Sequence, residues 1–140
     1  MRIIPEEKYE GVPCSQVAIG CAYENVFDKN LSHTIEVRLK NTEEYATLEE
    51  ANKSIRANLP ISKRIYYRKA ERISLSDFLK NNKEKCIVCV LGHYIFVDGK
   101  DYYSYCDNED DVVVCVWYID TDLIRLRKEA KTKTKQRKEN

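Results

Sequence analysis

The sequence predicts an α+β domain, and three observations carry that prediction. Cys14, Val17, Ala18, Cys21, Ala22, Asn25 and Val26 recur at the i, i+3, i+4, i+7 spacing of one helical face, so nearly the whole stripe is small or apolar. A second helical stripe runs from Asn41 to Asn58. From Cys86 to Ile119 the chain changes to β-branched and aromatic runs broken by short polar turns. Helices first and strands second imply segregated elements, with the N-terminal helix of Cys14 packed on a C-terminal antiparallel sheet.

In chain order, Met1 to Gly11 reads as a short arm with Pro5 and Gly11 as breakers, and Val12-Pro13-Cys14 leads into the first helix. Leu31 to Leu39 alternates in part and predicts a short strand or extended loop; His33 within it reads as a surface residue. The Asn41 to Asn58 helix is expected to be capped by Thr42, to turn Tyr45, Leu48, Ala51 and Ile55 inward, and to end at Pro60. Ile61 to Tyr67 predicts a strand, and Ser74 or Ser76 caps a short helix over the following Leu75, Phe78 and Leu79. Cys86 to Leu91 is the next strand. Two strands joined at Asp98-Gly99 follow, then a polar corner from Asp107 to Asp111, then a strand from Val112 to Ile119.

With 140 residues and 43% hydrophobic content, the chain has material for one core and one domain. We place that domain at residues 1–122. Residues Arg125 to Asn140 hold eight Lys or Arg and two Glu, a net +6 that leaves −5 on the remainder, so 123–140 reads as a basic, flexible tail whose removal should leave melting nearly unchanged. No apolar run approaches a membrane span, and the charged start MRIIPEEKYE predicts a cytoplasmic protein with no membrane partner. The six cysteines are then expected as reduced thiols.

Two positions point to chemistry. Cys14 begins a buried helix, where unpaired backbone N–H groups and the helix dipole favour a thiolate. His93 opens the first strand of a hairpin, and Asp107 lies just past the end of the second, so the hairpin should return Asp107 to His93. A cysteine, a histidine and a carboxylate that orients the ring make a nucleophilic site.

The order of these features resembles the small papain-like cysteine peptidases, in particular compact forms from phage and bacterial genomes, and more distantly the bacteriocin-processing peptidase domains. The resemblance covers roughly residues 12–27 and 74–119 and is carried by Gly92-His93-Tyr94, Asp98-Gly99, Tyr103-Ser104-Tyr105-Cys106-Asp107 and Trp117. It implies a papain-like fold, Cys14 as nucleophile, His93 as general base and then acid, and Asp107 as the orienting group, with no cofactor and a peptide or protein as substrate. It implies a host cytoplasm or a virion as the location. The chain departs from the pattern at the oxyanion donor: no glutamine stands at positions 6–13, which leaves Gln16 as the substitute. A non-catalytic papain-like protein, serving as a virion component, inhibitor or adaptor, is the alternative the resemblance also allows.

Other classes fare worse. Cys86-x2-Cys89 has zinc-ligand spacing but no turn former, and on a strand its two thiols face opposite sides, so no metal site is predicted. Basic residues are not interleaved with the tyrosines between 94 and 118, so contact with nucleic acid is expected only weakly, through the basic tail. Oligomeric state is open. Strand parity gives the catalytic reading its sharpest requirement: Asp107 reaches His93 only if the hairpin loop is odd or a bulge intervenes, whereas a regular two-residue turn sends Asp107 to the opposite face. In that event the third role passes to Asn108 or is empty. Cys14 Sγ and a ring nitrogen of His93 should also lie within about 4 Å.

Overall fold

The computed structural model describes residues 1–4, 12, 14–27 and 47–126. The Leu31 to Leu39 segment with His33, and Thr42 with Tyr45, lie outside the described residues, as does 127–140. The described elements are strand β1 (Arg2–Ile3), helix α1 (Cys14–Phe27), helix α2 (Leu48–Asn58), strand β2 (Ile61–Tyr66), a 3-10 turn (Lys69–Glu71), helix α3 (Leu75–Asn81), and strands β3 (Lys85–Val90), β4 (His93–Asp98), β5 (Asp101–Ser104) and β6 (Val113–Ile119). Mixed α+β architecture is therefore observed.

The six strands form one sheet in the order β1-β5-β4-β3-β6-β2, antiparallel throughout except for β1, which adds to β5 in parallel. That edge was not legible as a strand. It is held by backbone pairing and by Asp101, which takes the Met1 ammonium at 2.8 Å and the Arg2 guanidinium at 3.0 Å. The sheet is covered on both faces. Ile87, Cys89, Tyr94, Phe96, Cys115, Trp117 and Ile119 pack with α1 and α2, whereas Cys86, Val88, Val90, Ile95, Val97, Tyr102, Val116 and Tyr118 pack with Leu75, Phe78 and Leu79 of α3. Burial on both sides accounts for the unbroken apolar runs CIVCVL and VVCVWYI, where a one-sided sheet would alternate with polar residues.

α1 is buried around most of its circumference from Ser15 to Ala22, not only along the predicted stripe. α2 begins at Leu48, where Thr47, in extended conformation, accepts the Glu50 N–H at 3.2 Å and caps the helix. Ser74 caps α3 as expected, accepting the Asp77 N–H at 3.2 Å.

The domain continues past residue 122. Asp120 Oδ1 accepts the Leu123 N–H at 2.9 Å and starts a helical segment at 121–126, which turns Ile124 back into the core at 4% exposure. An aspartate directly after a β-strand is a cap signal, and it moves the boundary that charge alone placed at 122. Ile124→Ala should cost about 2–5 kcal/mol and lower the melting temperature by roughly 5 °C or more, measured by thermal denaturation.

Candidate functional site

A cleft of about 240 Å³ opens at the end of the sheet beside the start of α1. Cys14 and Ser15 form one wall, Leu48 of α2 and Val114 of β6 contribute to the sides, and the β3–β4 connection from Cys89 to Tyr94 forms the other wall. Cys14 and His93 thus border one space. Strand register decides which way they point.

β3 and β4 are joined by the two residues Leu91-Gly92, with Gly92 at φ +81° supplying the conformation that side chains disfavour. Val90 then pairs with His93, and paired residues share a face. Val90, Ile95 and Val97 belong to the layer under α3, so His93 leaves the sheet on that side. The residue that β4 presents toward α1 and Cys14 is Tyr94. Cys89 pairs with Tyr94 on β4 and with Cys115 on β6, so Cys115, Cys89 and Tyr94 form a row across the sheet beneath α1. Burial pushes the Cys89 thiol up to about 12 and the Cys115 thiol up to about 11, which keeps both protonated near neutral pH. Cys86 lies on the other face of β3 from Cys89.

The β4–β5 hairpin answers the parity question. Asp98 pairs with Asp101 and Val97 with Tyr102 around the two-residue turn Gly99-Lys100, with Gly99 at φ +63°. The loop is even, without a bulge between Asp101 and Tyr103. Continuing this register by one residue puts Ser104 opposite Ile95, on the face of His93 and one pair along from it. Ser104 is buried on that face.

Asp107 is committed elsewhere. Its Oδ1 accepts the Tyr102 hydroxyl at 3.1 Å and the Glu109 N–H at 2.8 Å, while the Tyr102 oxygen accepts the Asn108 N–H at 3.1 Å. In place of the predicted bond to His93, Asp107 anchors the corner. Asn108, the alternative orienting residue, is buried and accepts from the Ser104 hydroxyl, and its Nδ2 donates to Asp111 Oδ2 at 2.7 Å. Asp111 is the charged neighbour that bears on the His93 ring among the described residues. Sequence reasoning missed Asp111; its place directly before the strand that starts beside the Leu91-Gly92 turn was the available signal.

Gln16 corrects the remaining assignment. Its Nε2 donates to Ser54 Oγ at 2.7 Å, and the side chain is buried between α1 and α2. One helical step beyond the cleft wall at Ser15, it clasps two helices and offers nothing to an oxyanion.

No family model matches the chain, and no curated protein and no solved structure matches it either. No helix among the described residues is long and apolar enough to cross a membrane.

Burial lowers the His93 pKa from its ordinary 6.5, with the charge of Asp111 opposing the shift. The unfolded chain therefore binds more protons than the folded one as pH falls below the ordinary value. Stability is lost on that descent until the folded midpoint is passed. Comparing His93→Gln with the parent chain from about pH 7.5 to 5.5, the variant should lose less melting temperature, since it lacks the group that must be protonated on unfolding.

Proposed function

We propose that this chain is a binding domain of the papain-like type, an adaptor whose cleft at the start of α1 holds a peptide without cleaving it. The observation that carries this reading is the engagement of Asp107, whose Oδ1 accepts the Tyr102 hydroxyl and the Glu109 N–H. The direction of His93 and the clasp between Gln16 and Ser54 agree with it. The cleft is lined by aliphatic side chains together with Tyr94, His93 and the thiols of Cys14 and Cys89, which suits recognition of a side chain.

A second reading, a cysteine-dependent hydrolase, is favoured by one observation: Cys14 and His93 border the same cleft, with Asp111 acting on the histidine. In that case His93 would take the Cys14 proton, the thiolate would attack a peptide or amide carbonyl, and His93 would protonate the leaving amine before water cleared the thioester.

Thiol reactivity separates the two, because Cys106 is exposed and serves as an internal reference. Under iodoacetamide near neutral pH, with labelled sites followed by peptide mass spectrometry, Cys14 should react no faster than Cys106, and His93→Ala should change its rate less than about twofold. Cys14 labelling more than about tenfold ahead of Cys106, and slowed by His93→Ala, would establish the hydrolase instead.

A further inference from the structure

Resting on the binding-domain reading, we infer that the ligand of this cleft is an extended segment of a partner polypeptide bearing one apolar side chain with lysine or arginine residues close behind it. The apolar requirement comes from the cleft. Its volume, about 240 Å³, lies below the range of drug-sized ligand sites and suits one branched or aromatic side chain. The lip is apolar too. Leu91 is 70% exposed, and its N–H donates to the carbonyl of Val112, which is 37% exposed, so the two side by side extend the apolar wall outward.

The basic requirement comes from what adjoins that lip. The corner that ends at Val112 carries Asp107, Glu109, Asp110 and Asp111, the first three exposed. No Lys or Arg among the described residues forms an ion pair with any of the four. Arg72, a cation of the neighbouring segment, is occupied by the Tyr67 carbonyl at 3.1 Å and the Tyr66 hydroxyl at 3.0 Å. The corner is also fixed in place, since the carbonyls of Glu109 and Asp111 accept the N–H groups of Ser76 and Leu75 at the start of α3. Four carboxylates on a rigid loop beside an apolar lip attract a cationic strand and repel nucleic acid. At ~3.3 Å per residue, a strand anchored in the cleft passes the corner within about three residues.

The test uses the full chain and three fluorescein-labelled peptides: one leucine followed by three lysines, the same peptide with serine for leucine, and the same with glutamates for the lysines. Fluorescence anisotropy should show binding of the first alone, weakening at least about fivefold between about 50 and about 200 mM salt. Glu109→Gln with Asp110→Asn, which spares the anchoring Asp107 and Asp111, should weaken it at least about fivefold, and Leu91→Ser should do the same through the apolar lip. Equal binding of the lysine and glutamate peptides, unchanged binding by the Glu109/Asp110 variant, or no binding of any peptide at about 1 mM overturns the inference. Self-association lost on deleting 127–140 makes a second copy of the chain the occupant and overturns the assignment to a separate partner. Cleavage of the bound lysine peptide would sink the non-catalytic reading while leaving the ligand chemistry intact, so the two failures are distinguishable.

Discussion

β4 is bracketed by two even turns, Leu91-Gly92 before it and Gly99-Lys100 after it, and the direction of the candidate groups on three strands follows from them. Because side chains alternate with a period of two, a single residue added to either turn would send the neighbouring strand's apolar set to the wrong layer. With α1 and α2 on one face and α3 on the other, such a slip would set Cys86, Val88 and Val90 against partners shaped for Ile87 and Cys89. The two glycines with positive φ, one in each turn, make the even lengths attainable without backbone strain. The packing of the sheet and the geometry of the cleft are consequences of the same constraint.

That constraint also explains why a histidine and a cysteine can share a cleft without sharing a face. The cleft lies at the sheet's end, where the Leu91-Gly92 turn is exposed to both layers, so groups from either face can border it. The bulge at Val114, where Cys89 pairs with Cys115 but Val90 pairs with Val113, belongs to the same end of the sheet and adds an apolar side chain to the cleft. Toward α1 the strands present Cys89, Tyr94 and Cys115, whose acidities are all suppressed by burial. Toward α3 they present His93 and Ser104. The ionisable chemistry nearest the cleft is thereby divided between two layers.

Much of the fold was legible, and the reasons are local. The stripe on α1, the Ser74 cap, the apolar runs of β3 and β6 and the glycine turns each depend on residues within a few positions of one another. What escaped depends on contacts distant in sequence, or on a stronger local signal overlooked. β1 exists because Asp101 and the exposed edge of β5 receive it, which nothing in residues 1–4 announces. Thr47 caps α2, and Asp120 extended the core to Ile124, through side-chain bonds that composition does not rank. For the site, strand parity was the right question to ask, but the Asp107 carboxylate is engaged by Tyr102 and Glu109. The preference for a catalytic partner required an odd loop, whereas pairing across Gly99-Lys100 gives an even one.

The polar corner from Asp107 to Asp111 is where these threads meet. A loop rich in carboxylates beside a histidine invites a catalytic interpretation, yet nearly every bond it makes is structural. Asp107 satisfies the buried end of Tyr102, Asn108 bridges Ser104 to Asp111, and two backbone carbonyls accept the first N–H groups of α3. A buried tyrosine hydroxyl and a buried amide left without partners would each cost about 1–3 kcal/mol, so these groups are held by folding itself and have little freedom to serve a reaction. Only the outward carboxylates of Glu109 and Asp110 carry no such duty. A loop whose inner atoms are committed to stability and whose outer charges are unpaired has the character of a recognition surface, and it stands directly against the apolar lip of the one cleft that Cys14 and His93 both border.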